Sequence, residues 1–119
     1  MQKIAIVGGR TFDMKEYMHG VLIHLIATGA IENNLTLVCG EAKGADSVGR
    51  VLFEEVTLPI ESYPADWDKY GKSAGYIRNA EMAEMCDVAV AFWDGESRGT
   101  KHMIDAVRKL GKVCHVFYY

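Results

Sequence analysis

The stretch Ala91-Phe92-Trp93-Asp94-Gly95-Glu96-Ser97-Arg98-Gly99-Thr100-Lys101 carries an apolar run into a Gly/Ser/Thr loop and on into the helical spacing Met103, Ile104, Val107, Leu110. A strand that turns through small residues into a helix start leaves the helix's first backbone N–H groups unpaired at the positive end of its dipole. That is an anion cradle, and phosphate is its usual occupant. The plain alternative is a loop that only turns a corner. Two further junctions of the same kind in this chain weigh against that alternative.

The first is Val7-Gly8-Gly9-Arg10-Thr11-Phe12-Asp13, where the apolar run Lys3 to Val7 ends in paired glycines. Glycine lets the backbone turn sharply and approach a ligand, and Arg10 is placed to pair with a phosphate or a carboxylate. The segment lacks the third glycine of the dinucleotide fingerprint G-x-G-x-x-G, which argues against an ordinary dehydrogenase. The second junction is Gly40-Glu41-Ala42-Lys43-Gly44-Ala45-Asp46, after the run Leu35 to Cys39. There Lys43 either faces phosphate or is solvated, and Asp46 serves either as a helix N-cap or as an acceptor for a ribose hydroxyl.

Between these junctions the pattern alternates. Asp13 with Glu16 three residues on reads as an N-cap and its capping partner, followed by the stripe Met14, Tyr17, Met18, Val21, Leu22, Leu25, Ile26 and a stop at Gly29. Asp46 or Ser47 opens a second helix with Val48, Val51, Leu52 and Val56 on one face. Leu58 to Tyr63, Asp87 to Phe92 and Lys112 to Phe117 read as strands, and Tyr76 to Met85 as a helix. The order β-α-β-α-β-α-β-α-β, with strands that are nearly continuous apolar runs, predicts an α/β fold. Its five-stranded, mostly parallel sheet is covered by helices on both faces.

Composition frames this as one domain over residues 1–119. Half the residues are apolar, about a quarter are charged, and the net charge is −3. An acidic balance gives no global field for nucleic acid or a membrane surface. Cys39, Cys86 and Cys114 are odd in number, lack C-x-x-C spacing and adjoin apolar runs, so buried reduced thiols in a cytoplasmic protein are expected. The run Ile4 to Val7 is too short for a signal sequence or membrane span. The four histidines show no metal-ligand spacing, and no metal site is expected from them.

Gly71-Lys72-Ser73 imitates the end of a P-loop, but Asp66 stands where that motif needs glycine. What remains from Pro64 to Gly71 is a long polar and aromatic loop in which Trp67 either stacks on a base or folds back over the sheet edge. Arg78 and Asn79 follow early in a helix. An arginine there opposes the dipole, which hints at an anionic partner.

Taken together, these segments resemble the small bacterial and phage-borne members of the SLOG superfamily: Val7 to Phe12, Gly40 to Asp46, Pro64 to Trp67, Gly71 to Gly75, Ile77 to Met82, and Ala91 to Lys101. That superfamily resembles the Lonely Guy phosphoribohydrolases and the DNA-processing protein A fold. The resemblance spans nearly the whole chain. It implies a Rossmann-like sheet in the order 3-2-1-4-5 holding a nucleotide-derived ligand where strands 1 and 4 meet. It departs where catalysis is concerned: Lonely Guy enzymes carry P-G-G-x-G-T-x-x-E, and here Met103 stands in place of the glutamate. Their upstream Arg-Lys pair is reduced to Arg78.

Three readings follow. The first is a binding module for a nucleotide or an ADP-ribose or NAD-like relative. Gly8, Gly9, Arg10, Thr11, Gly40, Lys43, Gly44 and Asp46 form one side of its site. Gly95, Ser97, Arg98, Gly99 and Thr100 form the other, with Trp67, Arg78 and Asn79 between, and magnesium is an open addition. The second is a hydrolase of an N-glycosidic or phosphoribosyl bond. Arg78 would orient phosphate, and Glu81, Asp94 or Glu96 would supply the missing carboxylate. The third, least favoured by charge, handles nucleic acid through Lys43, Lys69, Lys72, Arg98 and Lys101. Pairing of like subunits through helices is compatible with all three.

Overall fold

The apolar runs Ile4 to Val7, Leu35 to Cys39 and Val88 to Phe92 become central strands buried on both sides, while the strands from Ile60 and from Val113 form half-buried edges. A computed structural model describes residues 1–119 and gives β1 Gln2–Gly8, α1 Lys15–Ala27, β2 Leu35–Cys39, α2 Ala45–Glu55 and β3 Ile60–Ser62. These are followed by α3 Trp67–Tyr70, α4 Ala74–Met85, β4 Val88–Trp93, α5 Arg98–Lys109 and β5 Val113–Tyr118. All neighbouring strands run parallel, in the order β3-β2-β1-β4-β5. The α/β class and the strand order are those expected.

Strand alternation divides the core into two layers. Ile4, Ile6, Leu37, Val90 and Phe92 face Met18, Leu22, Leu25, Leu52 and Phe53, so α1 and α2 cover one side of the sheet. Ala5, Val7, Val38, Ala89 and Ala91 face Met82, Ala83, Met103, Ile104 and Val107, so α4 and α5 cover the other. Right-handed crossovers require this split, because the chain steps outward from β1 to β3 and then back across to β4 and β5. The second side is lined largely by alanine, which lets α4 and α5 settle close to the strands.

Several local expectations are corrected. Asp13 is not the N-cap of α1. Met14 occupies that position without a side-chain cap, and the Asp13 backbone carbonyl accepts from Lys15 N instead. Neither Asp46 nor Ser47 caps α2, whose N-cap is Gly44. The buried face of α2 is Ala45, Asp46, Gly49, Leu52 and Phe53, whereas Val51 and Val56 are exposed, because the helix packs on the sheet through its small residues, with Gly49 against Ile6. The long loop after β3 contains the turn α3, capped by Asp66 accepting from Lys69 N, and then a 3-10 turn over Gly71–Ser73. The cysteines are free and buried. No helix is long and apolar enough to cross a membrane.

Candidate functional site

Gly8 lies level with Phe92 in the β1–β4 ladder, so the loops after these two strands leave the sheet at the same height. One turns toward α1 on the first face and the other toward α5 on the second. The gap between them is the topological switch point, where ligands of open parallel sheets bind. A cleft of about 820 Å³ opens there, within the range of small-molecule sites.

Close backbone approach builds the cleft. A Cβ on Gly8 would meet that of Ala45 at 2.7 Å and collide with the Phe92 carbonyl. Gly44 has φ +84° and leaves no room for a side chain beside Gly9 O, so Ala45 N donates to that carbonyl at 3.3 Å and ties α2 to the first loop. On the far side, Arg78 Nη1 donates to Gly40 O and its Nε to Asn79 Oδ1 at 3.1 Å. Asn79 Nδ2 in turn donates to Gly99 O at 3.2 Å. The end of β2, the start of α4 and the start of α5 are thereby joined in one chain of hydrogen bonds.

The β4–α5 loop is organised by Asp94, whose Oδ1 accepts from Glu96 N at 2.9 Å and Ser97 N at 2.8 Å. These donors hold its carboxyl below the usual range. Ser97 caps α5 by accepting from Thr100 N at 3.4 Å, and Trp93 Nε1 donates to Ser97 O at 3.0 Å. Across the cleft, the Tyr119 hydroxyl stands over Gly9 and lies 3.4 Å from Thr11 Oγ1, while its ring packs edge-on against Phe12.

The charges in the wall are unevenly matched. Arg10, Lys43, Lys72 and Arg78 line the cleft. None of them takes part in the protein's ion pairs, which join Lys3 to Glu61, Lys15 to Glu55, Arg50 to Glu41 and Glu54, and Lys101 to Asp105. Of the acids, Glu41 is occupied by Arg50 and Ser62, and the Arg50 guanidinium holds its carboxyl down at about 2. Asp46 is different. Only 6% exposed, it is pushed up to about 6 by burial, against the opposing pull of the Ala42 N–H and Arg78.

The structure brings most of the sequence-predicted site residues together. Gly8, Gly9, Arg10, Thr11, Gly40, Lys43 and Asp46 line one side. Trp67, Arg78, Asn79, Asp94, Ser97, Gly99 and Thr100 line the rest. Gly44 stands behind the wall as a spacer, and Gly95, Glu96, Arg98 and Glu81 lie outside the lining. Trp67 does not cover a sheet edge: it is 53% exposed and its indole borders Gly75 within the cleft. Met103, standing where a glutamate was sought, is buried and lies at the cleft's inner wall.

Sequence reasoning passed over Tyr76 and Glu41, both in the lining. Tyr76 stacks edge-on with His102 at 4.6 Å. Its signal was available, since it precedes Arg78 by two positions near the same helix start. No three His, Cys, Asp or Glu side chains gather into a group able to hold a metal.

No family model matches the chain, and no solved structure matches it. It is 32% identical over 120 residues to the Gene 61 protein of Mycobacterium phage D29, an alignment covering 93% of this chain and 92% of that protein. With glycine loops and unpaired cations set at the switch point of a five-stranded parallel sheet, the chain belongs to the family of that phage Gene 61 protein.

Proposed function

We propose that the protein binds a nucleotide or nucleotide-derived ligand, a nucleoside phosphate or an ADP-ribose or NAD-like relative, and acts as a sensor or sequestering module. The observation that carries this reading is the set of cations without carboxylate partners, Arg10, Lys43, Lys72 and Arg78, around glycine loops at the switch point. Guanidinium and ammonium groups without carboxylate partners favour a phosphate. Trp67 and Tyr76, both exposed at the cleft, offer ring faces to a base. The resemblance to SLOG proteins points the same way.

The second reading, cleavage of an N-glycosidic or phosphoribosyl bond, is favoured by one observation. Asp46 is a lining carboxyl held near 6, where it can exchange a proton at neutral pH. Nothing comparable favours Glu81 or Glu96, which lie outside the cleft lining.

Thermal unfolding against AMP, ADP, ATP, GTP, NAD, ADP-ribose and cyclic ADP-ribose, with and without magnesium, tests the first reading. A ligand at a hundredfold above its Kd adds about 2.7 kcal/mol, a rise of several degrees in the midpoint. Arg78→Glu should abolish that rise. No shift with any compound refutes the reading, and release of free base or ribose phosphate from the compound that shifts would decide for the second.

A further inference from the structure

We propose that Asp46 reads the sugar of the ligand, so that the cleft selects nucleotides with free vicinal ribose hydroxyls and rejects their deoxy counterparts. This rests on the nucleotide reading given above and adds the ligand's sugar class to it.

Asp46 stands in a cleft lined by Arg10, Lys43, Lys72 and Arg78, where the other two carboxylates, Glu41 and Asp94, are taken up by Arg50 and Ser62 and by the Glu96 and Ser97 N–H groups. Its carboxylate is 6% exposed and lines that cleft. Only backbone N–H groups donate to it: Ala42 N reaches Oδ2 at 3.3 Å, and Gly40 N also holds it. No side-chain donor reaches it, and Arg78, its near neighbour, is committed to Gly40 O and Asn79 rather than to an ion pair with it. A negative charge beside a phosphate is unfavourable unless the same ligand brings hydrogen-bond donors to it. A buried carboxylate has more acceptor sites than these backbone groups fill.

The position of Asp46 identifies which donors those are. It lies on the first turn of α2, whose start is tied to the β1 loop through Ala45 N and Gly9 O. Gly40, Asp46 and Arg78 converge so closely that a Cβ on Gly40 would sit 2.8 Å from Asp46 Oδ2 and 2.9 Å from Arg78 Nη1. The group bonded directly to a nucleotide's phosphate is its sugar, whereas the exposed rings of Trp67 and Tyr76 suit the base. Ribose hydroxyls are therefore the donors that reach a carboxylate placed beside the phosphate loops.

A ligand lacking a hydroxyl leaves the charged acceptor desolvated and unmatched. Hydrogen bonds to charged groups are among the stronger ones, which corresponds to roughly 10- to 100-fold in affinity. Isothermal titration of the full chain at pH 7.5 tests this. The probes are the ribonucleoside 5′-mono- and diphosphates of all four bases and their 2′-deoxy and 3′-deoxy counterparts. The wild type should prefer the ribose forms by at least 10-fold. Asp46→Asn should shrink the preference to a few-fold and bind the deoxy forms more tightly than the wild type does, a gain that a merely structural aspartate would not produce.

Equal affinity of ribose and deoxy forms for the wild type would overturn the inference while leaving nucleotide binding intact. A preference unchanged in Asp46→Asn would overturn the assignment to Asp46. Binding of neither sugar class would overturn the nucleotide reading and this inference with it.

Discussion

Replacing Asp46 by asparagine should stabilise the protein at neutral pH, in a way that vanishes in acid. The carboxyl is almost fully buried, and burial raises it from 3.8 to about 6, with the Ala42 N–H, the Arg78 guanidinium and the Gly40 N–H opposing that rise and Glu41 adding to it. Below pH 4 the group is protonated in both folded and unfolded chains and has no effect. Between pH 4 and 6 the folded chain keeps a proton that the unfolded chain has lost, so stability from this group falls as pH rises, and above about pH 6 the full cost is present. A rise of about 2 units at 1.36 kcal/mol each makes that cost about 3 kcal/mol. Asparagine keeps an amide oxygen to accept from Ala42 N and carries no charge to desolvate. Its midpoint should match the wild type at pH 4 and exceed it by roughly 10 °C at pH 7.5. Calorimetry of both proteins from pH 4 to 8 measures the difference, in which all shared titrating groups cancel. A difference that stays flat across this range, or an asparagine variant that loses ground as pH rises, would refute the reasoning.

Two further predictions concern the framework of the cleft. Gly44→Ala forces a side chain onto φ +84° and against Arg10 Cα at 2.7 Å, so it should cost more than about 3 kcal/mol in urea unfolding, and a cost under 1 kcal/mol would contradict the packing of α2 on the first loop. Glu41→Gln removes a carboxyl held down to about 2 by Arg50. That group contributes above pH 4.5 and its contribution is lost as pH falls toward 2. Because the pair is partly exposed, the effect at pH 7 should be under about 1 kcal/mol, read as a small loss of midpoint that disappears near pH 2.

The sheet was legible because a doubly buried parallel strand has no polar face, so Ile4 to Val7, Leu35 to Cys39 and Val88 to Phe92 announce themselves as unbroken apolar runs. Arg78 was legible by its misfit with the helix dipole, and it does stand in the cleft lining. Asp46 was harder to read. An aspartate just past a glycine at a helix start looks like a cap, and only the packing of Gly44 against Gly9, which moves the cap two residues back to Gly44, puts Asp46 inside the first turn. Glu81 shares a helix with Arg78 but lies three residues further on, outside the cleft lining, an orientation that periodicity alone leaves open until the buried face, with Met82 and Ala83, is known. Tyr119 over Gly9 could not be read at all, since it depends on the β4–β5 register, which places Tyr118 opposite Trp93 and carries the last residue back across the first loop.

The strand order also dictates when in its own synthesis the chain can become competent. The first strand made is the centre of the finished sheet, yet one of its two edges waits for β4, whose residues follow some 84 positions later, as in the pairing of Ile4 with Val88. Until then a nascent chain has β1, β2 and β3 with α1 and α2 on one side, only α4 on the other, and an unpaired apolar edge on β1. Contacts so distant in sequence are slow to form and leave such edges open to mispairing. The cleft lies along that seam. A growing chain therefore has no cleft through most of its translation, and a fragment that stops before β4 has neither the cleft nor a protected sheet.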